Sequence, residues 1–273
     1  MINKNKLAVT IFFVALLLFA FFMELGFSSA ASKKKDKPIQ TNSSNLNSWL
    51  YFDGDKDYVS VQDNKVLSVN NTGQLSISVW FNPETLSFKG ESSGYVNFLG
   101  KGKSGQHEYT FRFYNSSNSE KRPNRISFYV FNLTGGYGTG SYFQDPIKAG
   151  EWVNIVAVVN GSDVSIFKNG VNRDNDTYYE IINPEKGNAS LNFGTRDGNS
   201  YFNGSLDEIR IYNRTLSNWE INHLYNSGKN RNNSLTREGL AGYWSFDENN
   251  GSIAHDLSPY NNYGNIYGAK WRA

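Results

Sequence analysis

The most constraining feature of this chain is an alternation of apolar and polar residues with a period of two, repeated along most of its length. In QLSISVWF, Leu75, Ile77, Val79 and Phe81 fall on one side and Ser76 and Ser78 on the other. Successive side chains of a strand point to opposite faces, so this segment reads as a strand with one face in a core. EYTFRFY repeats the pattern with Tyr109, Phe111 and Phe113 against Thr110 and Arg112, and RISFYV repeats it with Ile126, Phe128 and Val130. WVNIVAVV ends at Asn160-Gly161-Ser162 and VSIF ends at Asn169-Gly170. Asn-Gly favours the left-handed backbone of a tight hairpin turn, so two adjacent antiparallel hairpins are expected here. One helix interrupts the strands. Ser217 and Glu220 have the spacing of a capping box ahead of NWEINHLYN, and Gly228 stands where a C-cap would. No stretch alternates strand with helix as a parallel sheet requires, and the economical architecture is an all-β, two-sheet antiparallel sandwich.

Composition narrows the functional classes. Aromatic residues make up 15% of the chain and charged residues 19%, a profile of strands and turns. With 27 basic against 25 acidic side chains there is no field to attract nucleic acid, which is not an expected partner. Cysteine is absent, which excludes disulfides, thiolate metal sites and thiol nucleophiles.

The N-terminus carries an export or membrane signal. Lys4 and Lys6 precede an apolar run from Leu7 to Met23, and small residues follow around Ala30 and Ala31. Residues 1–27 are therefore expected to be a hydrophobic helix, either a cleaved signal peptide or a membrane anchor. The Ser-, Lys- and Asn-rich residues 28–46 read as a flexible linker, and 47–273 as the folded part outside the cell, membrane-anchored or secreted. The basic cluster Lys33–Lys37 argues for the opposite orientation. Sequons such as those at Asn132, Asn160, Asn203 and Asn213 fit an extracellular glycoprotein.

Four motifs in order carry a resemblance: YFDGDKDYVSV, LSISVWFNP, EWVNIVAVVNGSDVSIFKNG and FNGSLDEIRIYNRTLSNWEINHLY. Together they resemble the laminin-G-like jelly roll of the concanavalin A-like lectin/glucanase superfamily. The resemblance covers nearly everything from Asn47 to Tyr225 and implies a jelly-roll sandwich. Residues 239–273, with GYWSFDE, look like the segment that usually opens such a domain, yet here it closes the chain. This suggests a circular permutation in which YWSF pairs with DEIRIY; the competing reading is a truncated second repeat.

Glucan-cleaving members of that superfamily set carboxylates at alternate positions of one strand, and no such run occurs here. Asp207-Glu208 and Asp247-Glu248 are adjacent pairs, and His107, His223 and His255 are scattered. No catalytic residues are therefore expected. Asp207 shares parity with Ile209 and Ile211, so its carboxylate is expected to face the apolar layer, where a charge needs a cation or N–H donors. The resemblance implies a structural Ca²⁺ at Asp207, helped by Asp53 or Gly54 and by Asp247 or Glu248; the alternative is an Asp207 bonded to loop amides. For ligand binding the candidates are the loop aromatics Tyr137, Tyr142, Phe143, Tyr178, Tyr179 and Tyr201, because sugar rings stack on flat side chains. The expected function is non-catalytic binding of a glycan or surface protein. A structural component of a cell-envelope layer is the second reading and a glycoside hydrolase the minor one.

Overall fold

The computed structural model of the chain describes residues 48–132, 138–177, 187–230 and 237–273. The expected N-terminal helix, the linker and Tyr137, Tyr178 and Tyr179 lie outside the described residues. The elements in chain order are β1 (Trp49–Asp53), β2 (Tyr58–Val61), β3 (Gln74–Pro83), β4 (Tyr95–Lys103), β5 (Gln106–Tyr114), β6 (Ile126–Phe131), β7 (Gly138–Phe143), β8 (Val153–Asn160), β9 (Asp163–Lys168) and β10 (Val171–Thr177). Then follow β11 (Leu191–Phe193), β12 (Asn203–Tyr212), α1 (Asn218–Asn230), β13 (Leu240–Trp244), β14 (Ile253–Ala254), β15 (Gly264–Tyr267) and β16 (Lys270–Arg272).

The strands form two antiparallel sheets. The first runs β10-β9-β8-β3-β12-β1-β16, with β13 also beside β12; the second runs β14-β15-β2-β11-β4-β5-β6-β7. The described residues form the expected all-β, two-sheet antiparallel sandwich with one short α-helix. Its core is the alternating apolar set: Leu75, Ile77, Val79 and Phe81 of β3 face Phe98, Phe111, Phe113 and Phe128 of the second sheet, and all are fully buried. Aromatic rings meet here, with Phe81 4.7 Å from Phe98 and 4.9 Å from Phe202 between ring centroids.

Ser76 and Ser78 sit on the other face of β3 and are nonetheless buried, because α1 covers that face. Ile221 and Leu224 of α1 pack there with Val156, Val158, Phe167, Tyr212 and Tyr243. The capping box forms as its spacing predicts: the Ser217 amide donates to Glu220 Oε2 at 2.8 Å and the Glu220 amide donates to Ser217 Oγ at 3.3 Å. Gly228 is not a C-cap, since α1 continues to Asn230. It lies against Trp80, where an added Cβ would stand 2.3 Å from the indole nitrogen. At Asn169-Gly170 both residues have positive φ, 53° and 78°, and the two-residue hairpin closes between Lys168 and Val171.

β12 has a split partner. Its first half pairs with β1, Leu50 opposite Leu206, and its second half pairs with β13, Trp244 opposite Ile209. The register on β3 shifts between Asp207 and Arg210, with Glu208 at φ 53°. This bulge adds a residue and corrects the parity expected for Asp207. Leu206 stands opposite core Phe81, whereas Asp207 stands opposite Trp80, which stacks on Tyr225 of α1. Cross-strand partners share a face, so Asp207 is buried on the helix side and not toward the core between the sheets.

Candidate functional site

The outer face of the second sheet carries a groove. Val59 and Val61 of β2 and Leu191 and Phe193 of β11 turn into the core, which leaves Tyr58, Ser60 and Asn192 pointing outward. The segment from Thr195 to Tyr201 folds back beside them and encloses an open cleft of about 380 Å³, closed at the far end by Gly102, Lys103 and Asn188. Thr195 Oγ1 donates to the Ser200 carbonyl at 2.7 Å and accepts the Gly198 amide at 3.0 Å. The loop is thus held in shape by its own bonds. Tyr201 and Tyr58 supply half-buried rings on the cleft wall, and Tyr58 stacks on Tyr267 at 4.6 Å. Burial beside Tyr267 and Tyr201 pushes the Tyr58 phenol above its ordinary pKa. Asn192 donates to the Arg196 carbonyl at 2.6 Å, and the Arg196 guanidinium grips Asp197 at 2.7 and 3.2 Å.

Glycines inside strands flatten this face. A Cβ on Gly100 would stand 2.9 Å from Arg196 Cγ, and one on Gly140 would stand 2.9 Å from the Tyr129 ring. A Cβ on Gly138 would meet the Phe131 ring at 2.5 Å. Planar side chains can therefore lie flush on the sheet. Arg112 of β5 rests between Tyr95 of β4 and Tyr129 and Phe131 of β6, its guanidinium carbon 4.3, 4.6 and 5.6 Å from the three ring centroids. Burial pushes the Tyr95 phenol up, opposed by the positive charge of Arg112, and burial with Arg196 nearby pulls His107 down.

The residues picked from the sequence fare unevenly. Tyr201 lines the groove. Tyr142 is exposed at the opposite edge of the same sheet, its ring under the Arg125 guanidinium at 3.8 Å and its amide donating to Asp174. Phe143 requires correction: it belongs to β7, opposite Ile126, and is buried in the core, so it is not available to a ligand. Tyr142 and Phe143, expected on a loop, belong to the edge strand β7, which begins at Gly138. Tyr58, Arg196 and Arg112 were missed. They come from distant segments, and at most the outward phase of Tyr58 and Arg112 in their strands would have suggested them.

Asp53 Oδ1 accepts the Asp55 amide in the turn at Gly54, Asp207 Oδ1 accepts the Glu208 amide, and Glu248 Oε1 accepts the His255 amide. Among the described residues, no three of Asp, Glu and His are placed to hold a metal ion. Glu208 instead forms a buried network, with its carboxylate 2.5 Å from the Arg210 guanidinium and accepting the Tyr243 hydroxyl at 3.1 Å. Arg210 lies 4.0 Å over the Tyr243 ring, and burial drives the Tyr243 phenol well above its ordinary value.

Residues 53–222 match Laminin_G_3, of the concanavalin A-like lectin/glucanases superfamily. That span exceeds half the chain, and the protein belongs to this family. Solved structures agree with the fold. A candidate carbohydrate-binding protein of Bacteroides ovatus superposes with a TM-score of 0.57 at 14% identity, over 82% of this chain and 60% of that one. A structure from work on botulinum neurotoxin type C cell entry, which involves two ganglioside molecules, superposes with a TM-score of 0.50 at 15% identity, over 66% of this chain and 42% of that one. The chain thus spans less than two thirds of either relative. No curated protein sequence matches it.

Proposed function

We propose that this protein is a non-catalytic glycan-binding module that takes its sugar in the groove between β2, β11 and the Thr195–Tyr201 loop. The observation that carries the reading is the groove's make-up: two tyrosine rings on the wall, Tyr58 and Tyr201, with Asn192, Ser60 and Arg196 at its base. Sugar rings offer apolar C–H faces and a rim of hydroxyls, which rings and amides of this kind match. The fold family and the sugar-associated structural neighbours support the same class. The acid in the groove, Asp197, is paired with Arg196, and among the described residues that line the groove there is no second carboxylate of the kind glycoside hydrolysis requires. The apolar N-terminal segment would carry the domain to the outer side of the membrane.

The test is a glycan array on the full chain, repeated with Tyr201→Ala and Tyr58→Ala. Binding that each change weakens about tenfold, without release of reducing ends, is expected. Binding untouched by both changes would move the site elsewhere, and turnover would overturn the non-catalytic reading.

A further inference from the structure

Arg112 stands apart from the arginines near it, Arg196, Arg122 and Arg125. Arg196 is matched by Asp197, Arg122 by Glu120 at 3.4 Å, and Arg125 donates to Gln144 at 3.1 Å. Arg112 is flanked by the rings of Tyr95, Tyr129 and Phe131, and among the described residues its Nε is buried without a hydrogen-bond partner and no carboxylate pairs with it. Taking a guanidinium partly out of water among ring faces is costly unless something accepts its N–H groups. The rings fix its plane in advance, and only the fork remains to be satisfied.

Position links this fork to the groove. Thr110 and Arg112 share the outward face of β5, Thr110 stands opposite Gly100, and Arg196 lies across Gly100. The buried Arg196 and Thr110 therefore lie between the groove and Arg112 on the same face of the sheet.

We infer that Arg112 is a carboxylate-recognising subsite, and that the glycan taken by this face carries an acidic sugar, a uronic or related carboxylated residue, beside a neutral ring in the groove. This rests on the glycan-binding reading and specifies its substrate class. A planar carboxylate accepts two parallel N–H bonds from a guanidinium, a geometry that a tetrahedral sulfate or a neutral hydroxyl matches less well.

The experiment is titration of the full chain with matched oligosaccharides: trigalacturonate, glucuronate-ended and sialylated oligosaccharides, the methyl ester of each, and a sulfated analogue. At least one acid is expected to bind tenfold or more tightly than its ester, with an affinity that falls as salt rises. Arg112→Gln should erase that preference and leave ester binding within about twofold, whereas Tyr201→Ala should weaken acid and ester alike. Arg112→Lys, which keeps the charge without the fork, should retain only part of the preference and guards against misfolding of the glutamine variant. Esters binding as well as acids would overturn the carboxylate subsite and leave the glycan reading standing. A preference for the sulfated analogue would overturn it in favour of sulfate, and binding of none of the sugars would overturn both readings.

Discussion

Ser48 Oγ donates a hydrogen bond of 2.6 Å to the carbonyl of Phe246, so the residue that leads into β1 is fastened to the second residue after β13. The two strands lie end to end along β12 and share its one free edge. The first and last parts of the folded region therefore complete a single strand position.

Removal of everything after Glu238 should leave the second half of β12 unpaired. It would also strip away Leu240, Ala241, Tyr243, Trp244 and Phe246, all buried. An exposed edge beside uncovered apolar side chains invites aggregation, and an insoluble product is expected. A soluble truncation with a cooperative melt would show that residues 239–273 are dispensable.

Gly228 gives a test of two opposing effects in α1. Replacing a helical glycine with alanine ordinarily stabilises by about 1 kcal/mol. Here the new Cβ would stand 2.3 Å from Trp80 Nε1 and 2.8 Å from Cε2. Overpacking of this kind costs about 1–3 kcal/mol, and Gly228→Ala is expected to lower the melting temperature by a few degrees. A rise on thermal unfolding would mean that α1 shifts freely over Trp80.

Lys101 is fully buried, with Asp63 at 2.7 Å and Glu108 at 2.5 Å, and it also donates to the Ala189 carbonyl on the rim of the groove. Burial pushes the Glu108 carboxyl up and Lys101 holds it down. Lys101→Met would leave two acids without their cation, a change that costs about 3–5 kcal/mol when a buried pair is broken. The melting temperature should fall, and glycan affinity should fall with it because Ala189 loses its donor. Adding Glu108→Gln to the same chain should recover part of the loss, and a double variant no better than the single would refute the charge argument.

Much of the fold was legible because the pattern that announces a strand is the pattern that builds the core: every apolar residue of the β3 alternation is buried between the sheets. The helix start was legible because a capping box is local. Asp207 was misread because counting by twos fails across a bulge, and only the left-handed backbone at Glu208 reveals it. Phe143 was misread because glycines suggest a loop, whereas Gly138 and Gly140 make room for rings on a strand. The groove gathers residues from β2, β4, β11 and the following loop. No local spacing encodes that meeting, since it arises only when β11 inserts between β2 and β4.

Glu220 provides the last prediction, a pH dependence of known sign. Its carboxylate receives Arg214 at 2.6 Å and the Ser217 amide at 2.8 Å, and chiefly the Arg214 bond lowers its pKa from 4.5 to about 2. A carboxylate with a depressed folded-state pKa contributes stability above its unfolded value, and that contribution is lost as pH falls through 4.5 toward 2. Because the side chain still meets water, the contribution is about 1–2 kcal/mol at neutral pH. Glu220→Gln should therefore melt several degrees below the wild type at neutral pH. The gap should narrow steadily below pH 4.5 and nearly close by about pH 2. Denaturant melts of both proteins across that range measure it, and a gap that stayed constant with pH would show that the Arg214 contact acts by packing and not by charge.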